Sequence, residues 1–192
     1  MRVPSHGLRA YGQAYAIDLA YEPAEHTRPA FGGEPMRAAQ EYPGLGQPVL
    51  AMIDGTVVKA SDWRRDHRAR SNLLGVVYLL VEAAIRELGG PGFVIGNQVT
   101  IRGDDGVYAT VAHLQRGSLT VGVGERVTAG QRIGNCGNSG NSTEPHVHAQ
   151  LMDRASLWTG QGVPMAFRAI SLDDQPEPID GLPRNNQHMT AI

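Results

Sequence analysis

Thiols, excess charge and long apolar runs are all scarce in this chain of 192 residues. Cys136 is its one cysteine, which excludes an intrachain disulfide framework and a cysteine-based zinc site. Any metal would have to be held by histidine and carboxylate. Lys and Arg number 17 against 19 Asp and Glu, a formal charge of -2 with no basic block. The electrostatic footprint that nucleic acid demands is missing, so nucleic acid is not expected as a partner. The longest apolar segment, SNLLGVVYLLVEAAIRELGG at residues 71–90, is interrupted by Glu82 and Arg86. Its unbroken part falls short of the roughly 18 residues of a membrane span, so none is expected. The opening residues MRVPSHGLRAYG carry no apolar core of a secretory signal. The chain as written is therefore expected either to be cytosolic or to start further upstream.

What is abundant is punctuation: 24 Gly and 12 Pro make up about a fifth of the chain, favouring many short elements joined by turns. One domain, leaning to all-β, is the expectation. Residues 48–60, PVLAMIDGTVVKA, place apolar strands on either side of Asp54-Gly55 and read as the strongest hairpin signal. NQVTIRGDDGVYATVAHL at 97–114 repeats the device, and two further short strands follow in SLTVGVGERVTAGQRIGNCG. Four or five strands between Phe93 and Leu151 give the spacing of a sandwich or barrel. In the 71–90 segment Ser71 or Asn72 can cap a helix, Gly89 and Gly90 offer a left-handed stop and Pro91 bars continuation. One helix over about 72–88 is predicted; being apolar on most faces, it should pack against protein. Residues 26–47 read as a long surface loop, and 171–192 as an irregular tail.

Of the seven histidines, two stand close together in NSTEPHVHAQL, residues 141–151. Side chains alternate along a strand, so His146 and His148 project to one side while Val147 and Ala149 project to the other. In GVYATVAHLQ the set Val107, Ala109, Val111 and His113 shares a face, placing a histidine at the end of an apolar row, where its polar ring needs a partner. In GQAYAIDLAY, Asp18 shares a face with the small Ala16 and Ala20, which leave room for a ligand. A carboxylate with one buried flank needs a cation or hydrogen-bond donors. His26 and His67 lie in polar loop sequence beside charges and read as solvated, and His188 lies in the tail. Asn141 and Ser142 read chiefly as turn formers.

These stretches together resemble the lysostaphin/LytM-type zinc endopeptidases that cut peptidoglycan cross-bridges. AYAIDLAY, GQPVLAMIDGTVV, GNQVTI and VAHLQRGSLTVGVGERVTAGQRIGNCGNSGNSTEPHVHAQL occur in family order over roughly residues 5–152, apart from two insertions. The resemblance implies a mainly β fold with an antiparallel sandwich- or barrel-like core, the duplicated hybrid motif, and one inserted α-helix, with the metallopeptidase domain over residues 1–170. It implies one zinc ion per chain, Asp18 and His148 as ligands, and His113 and His146 beside the catalytic water. Where the family has its first zinc histidine, four residues before the aspartate, this chain has Ala14. His6 is the expected third ligand, with His26 and His67 as lesser alternatives. A hairpin with Tyr11–Gln13 as its loop would oppose residue 6 to residue 18, with β-carbons roughly 5 Å apart. Three protein ligands leave the fourth position of the ion open to water, the arrangement of a catalytic site. The bound charge lowers the pKa of that water towards about 7, and His113 and His146 would accept its proton and stabilise the oxyanion.

The expected substrate is therefore a stem or cross-bridge peptide of peptidoglycan, which lies outside the cytosol and favours a start further upstream. The insertions at about 26–47 and 62–92 are expected to border the cleft. The basic approach WRRDHRARS, residues 63–71, reads first as a solvated connection and second as a surface for substrate carboxylates. Two alternatives stand beside the hydrolase: an inactive LytM-like module that binds peptidoglycan or activates a wall hydrolase, and a histidine phosphocarrier, which leaves Asp18 without a use.

Overall fold

The structure, a computed structural model, describes residues 9–23, 25–173 and 175–191. Among these the strands are β1 (Ile17–Leu19), β2 (Met36–Arg37), β3 (Pro48–Leu50), β4 (Gly55–Ser61), β5 (Ala69–Arg70), β6 (Gln98–Arg102) and β7 (Tyr108–Ala112). They continue as β8 (Arg126–Val127), β9 (Arg132–Asn135), β10 (Val147–Met152), β11 (Gly162–Val163), β12 (Phe167–Leu172), β13 (Gln175–Gly181) and β14 (Met189–Ala191). Two helices, α1 (Leu73–Leu88) and α2 (Pro91–Ile95), lie between β5 and β6. The fold is mainly β, its strands pair antiparallel, and a helix is inserted, as the resemblance implied.

The main sheet runs β1-β10-β7-β6-β4-β8, with β11 also on β10. Alternation gives it two unlike faces. Val99, Ile101 and Val111 point to one face and form the core with Val57, Val127, Val49 of β3 and Ile133 of β9. The small β3–β9 ribbon thus covers that face as a second layer. On the other face stand Gln98, Thr100, Thr110, His148 and Gln150, all buried and polar. Thr100 and Thr110 lie opposite each other and join hydroxyls at 2.9 Å. Most buried polar side chains find a partner; Gln98, whose Oε1 has none among the described residues, departs from that on a face otherwise held by specific contacts.

The β6–β7 hairpin around GDDG forms as the sequence indicates. The one expected around Asp54-Gly55 does not. There β3 pairs with β9, whereas β4 pairs with β6 and β8. The Asp54 carboxylate accepts the Ala129 amide at 2.7 Å, so this turn is tied to a distant segment. A second expected hairpin, with Tyr11–Gln13 as its loop, is replaced by a 3-10 helical segment over Ala10–Tyr15. The 26–47 loop contains β2, paired with β5, and a short 3-10 turn at Ala39–Glu41. The tail is not irregular either: β13 and β14 flank β12 in a separate three-stranded sheet. Its edge position lets β13 accommodate Pro178, whose missing N–H costs no ladder bond when it faces solvent.

Helix α1 begins where its cap predicted, the Asn72 side chain accepting the Gly75 amide at 3.0 Å, and the positive φ of 91° falls at Gly90. Its orientation differs from the expectation. The buried residues are Gly75 and Leu79, and the half-buried stripe continues through Glu82 and Arg86. Leu74, Val77, Val81, Ile85 and Leu88 are exposed. Gly75 sits against the Pro35 carbonyl with no room for a β-carbon, which fixes the helix on the 26–47 loop.

Candidate active site

Asp18 and His148 are directly opposed on β1 and β10. The sequence aimed both at one place, and their atoms meet: His148 Nδ1 lies 3.0 Å from Asp18 Oδ1. The other ring nitrogen, Nε2, is 2.8 Å from Gln150 Oε1. That amide is held in orientation because its Nε2 donates to the Tyr11 carbonyl at 2.9 Å and contacts Met152 Sδ at 2.9 Å. An amide oxygen only accepts, so His148 Nε2 carries the proton. Gly12 makes the contact possible: its φ of 76° turns the 3-10 segment, and a β-carbon there would lie 2.6 Å from Met152 Sδ.

His146 and His113 complete the cluster. His146 Nδ1 donates to the Glu144 carbonyl at 2.8 Å and shares that proton with Ser142 Oγ at 3.0 Å. Its Nε2 faces Asp18 Oδ1 at 3.4 Å. Had β7 continued regularly, His113 would point into the core with Val111. Instead it has a φ of 60°. This left-handed residue ends the strand and turns the ring onto the polar face, a strained conformation of the kind found at functional sites. His113 Nδ1 donates to the Ser139 carbonyl at 2.8 Å. Its ring centroid is 4.8 Å from that of His146 and 5.7 Å from that of His148.

Electrostatics push the pair apart. Burial, then the imidazoles of His146 and His148, drive His113 well below the usual histidine value of 6.5. For His146 burial pulls downward, but the hydrogen bond and charge of Asp18, with the Glu144 carbonyl, outweigh it and the net shift is upward. Neighbouring titratable groups separated in this way are suited to opposite proton-transfer roles.

Both insertions touch the turn that precedes β10. Arg28 donates to Glu144 at 2.6 Å, and Arg86 of α1 donates to Asn141 Oδ1 at 3.0 Å. His67, read as solvated, is half-buried instead. Its Nε2 accepts from Arg86 at 3.1 Å, and burial followed by the Arg86 charge lowers it to about 4. His26 is exposed, as expected, and His188 is exposed too. His6 lies outside the described residues. Sequence reasoning missed Gln150, although its spacing of two from His148 on a strand was the available signal. The Ser139 and Glu144 carbonyls were not legible, because backbone acceptors leave no mark on residue type.

Among the described residues no group of three or more His, Cys, Asp or Glu is placed to hold a metal. The donor set nonetheless fits part of one. With Nε2 of His148 and Nδ1 of His146 committed as donors, the nitrogens turned to Asp18 Oδ1 are lone pairs when the rings are neutral. Two imidazole lone pairs facing a carboxylate oxygen repel, so a cation, either a proton or a metal ion, belongs in their midst. Tethering the remote nitrogen of a metal-binding histidine is also what fixes its tautomer.

Comparison with known proteins matches residues 38–161 to Peptidase family M23. The chain is 38% identical over 127 residues to the glycyl-glycine endopeptidase ALE-1 of Staphylococcus capitis, covering 66% of this chain and 27% of that protein. It is 42% identical over 89 residues to lysostaphin of Staphylococcus simulans, covering 46% of this chain and 17% of that protein. The solved catalytic domain of lysostaphin from Staphylococcus simulans shares 26% identity over 70% of this chain and 85% of that one, with a TM-score of 0.42. The alignments thus span about a quarter or less of these curated relatives. The family match includes His113, His146 and His148 and begins after Asp18.

Proposed function

The chain belongs to peptidase family M23, and from that membership we propose that it is a zinc-dependent endopeptidase cutting the peptide cross-bridges of bacterial peptidoglycan. Relatives named as a glycyl-glycine endopeptidase and lysostaphin support the substrate class. The observation that carries the reading is the convergence of His148 Nδ1 and His146 Nε2 on one oxygen of Asp18, at 3.0 and 3.4 Å, with the remote nitrogen of each ring already tied off.

Asp18 and His148 would hold the ion, with His6 as the third ligand. When bound, the ion acidifies water and polarises the scissile carbonyl. The remaining work falls to side chains. His113 is kept neutral by burial, and its Nδ1–H is anchored on Ser139, so its Nε2 lone pair is free to take the proton of the attacking water. His146, whose affinity for a proton is raised, offers an Nε2–H to the oxyanion that develops on the carbonyl. Gln150 holds the His148 ring in one tautomer. Asp18 is exposed, so the cluster opens to solvent on the side where a peptide must approach.

The test is metal analysis of the purified chain together with release of amino groups from purified cell wall, with and without chelator. About one zinc per chain and chelator-sensitive release are expected; metal-free protein with chelator-insensitive release refutes the proposal. Ala14 at the position of the family's first ligand favours a second reading, a non-catalytic module that binds peptidoglycan. Wall binding without hydrolysis, with no bound zinc and no effect of His148→Ala, would select it.

A further inference from the structure

Beside the histidine cluster lies a cavity of about 280 Å³ lined by Trp63, Arg64, Arg65, His67, Arg86 and Arg116, closed by Phe93 and Gly140. Four guanidinium groups and no carboxylate line it. The neighbouring carboxylates are already engaged. Glu82 pairs with Arg70 at 2.6 Å and with Arg86 at 3.3 Å. Asp66 accepts the backbone amides of Arg116 at 3.1 Å and Asn138 at 2.7 Å. Arg64, Arg65 and Arg116 have no ion-pair partner among the described residues. Arg64 is also pre-set: its guanidinium carbon sits 4.3 Å from the Trp63 ring and 4.5 Å from the Phe93 ring, while its backbone amide is bound by Asn97. Its buried Nε finds no acceptor. Its Nη1 reaches Ser61 Oγ at 3.3 Å, and a stacked, oriented guanidinium with no carboxylate partner of its own is the arrangement that receives a planar carboxylate.

One short turn joins this cavity to the catalytic cluster. Ser139 accepts from His113, Gly140 lines the cavity, Asn141 accepts from Arg86, and Ser142 contacts His146. These four consecutive residues border both sites, and at about 3.3–3.6 Å per residue their three steps put the cavity within about three peptide residues of the imidazoles. Its volume falls just below the roughly 300 Å³ of the smallest full ligand pockets, enough for the end of a peptide.

We infer that this arginine-lined cavity is a subsite for a carboxylate carried by the peptide substrate within about three residues of the bond that is cut. The inference rests on the proposed peptidase reading. The carboxylate has two possible sources, a free chain terminus or an acidic side chain, and both present the same planar anion.

The test is calorimetric titration of the full chain, with chelator present to prevent turnover. The probes are acetylated tetraglycine as the free acid, the same peptide as its amide, and that amide with one Gly replaced by Glu. At least one carboxylate peptide is expected to bind about tenfold or more tightly than the neutral amide, and which one does so identifies the source. The preference should vanish in Arg65→Gln/Arg116→Gln, both exposed positions, and persist in Arg132→Gln/Arg168→Gln, which removes the same two charges at exposed positions of β9 and β12. Equal affinities, no binding of any probe, or a preference that survives the double substitution would overturn the inference. So would inorganic phosphate displacing the acids at concentrations below their own Kd, because the cavity would then be a phosphate site. A carboxylate preference without wall hydrolysis would sink the peptidase reading and leave the anion subsite; hydrolysis without the preference would do the reverse.

Discussion

In the main sheet, Val99, Ile101 and Val111 face the core while His148, Gln150 and Thr110 face away from it. In α1 the arrangement is inverted: Glu82 and Arg86 turn toward the protein, and Leu74, Val81 and Ile85 toward solvent. Both regions bury polar groups, by different means. On the sheet each imidazole is anchored by a neutral acceptor, the Ser139 carbonyl, the Glu144 carbonyl or the Gln150 amide, so the scaffold of the cluster depends little on charge. Beneath α1 the contacts are ionic. Arg70, whose side chain is 3% exposed, meets Glu82, which also meets Arg86, which in turn meets His67 and Asn141. Changes on the sheet should therefore affect catalysis more than folding, and changes under α1 should do the opposite.

The largest expected effect tests the first half of that contrast. His113→Asn keeps a residue that tolerates positive φ but removes the proposed proton acceptor. A fall in kcat of about 10²–10⁴-fold on cell wall is expected, with little change in the thermal midpoint. A chain that unfolds instead would show the sheet and the insertion to be alike. Next comes Glu82→Gln, which strands the nearly inaccessible guanidinium of Arg70. Loss of one member of a buried pair costs about 3–5 kcal/mol. Because the Glu82 side chain is 18% exposed, solvent screening argues for the lower end, about 3 kcal/mol. Denaturant titration would measure it, and folded Glu82→Gln should still cut its substrate.

These two regions also differ in how far the sequence could be read. Asp18, His146 and His148 stood out because strand alternation and a local resemblance agreed, His113 because of the resemblance alone, and the structure brings all four together. The path of His113 was not legible. Alternation placed it on the core row, and only a φ of 60° after Ala112 turns it over. The Asp54-Gly55 signal was real turn chemistry but lost to non-local pairing, since the strands that flank it find partners in β9, β6 and β8. For α1 the cap, length and stop were local and correct. Which face packs is decided by Arg70, Pro35 and the turn before β10, all distant or outside the helix, and periodicity in a segment apolar on most sides does not choose among them.

Titration separates the regions again with a smaller effect. His67 is lowered from 6.5 to about 4 in the folded chain. The unfolded chain binds the proton first, so stability is lost as pH falls from about 6.5 towards about 4. His113, also lowered, contributes with the same sign, while His146, raised, favours the fold below its unfolded value and loses that contribution as pH rises through the folded one. Thermal midpoints measured from pH 7 to pH 4 should fall, and His67→Gln should flatten the part that belongs to the insertion. An unchanged slope would mean that burial and the Arg86 charge do not hold His67 below its unfolded value.

The smallest expected effect is the most direct check on the inverted helix. If Ile85, 65% exposed, and Leu80, 63% exposed, face solvent, Ile85→Gln and Leu80→Gln should each change stability by no more than about 0.5 kcal/mol. Leu79→Ala, one position away on the buried side, should cost about 2–5 kcal/mol. Adjacent residues of the same type thus carry opposite expectations, and helix propensity cannot produce the difference, because Leu and Gln are both good helix formers and Ala is better still. A large loss at Leu80 with a small one at Leu79 would reverse the facing of α1. The Glu82–Arg70 contact and the arginine-lined cavity beneath would then have to be redrawn with it.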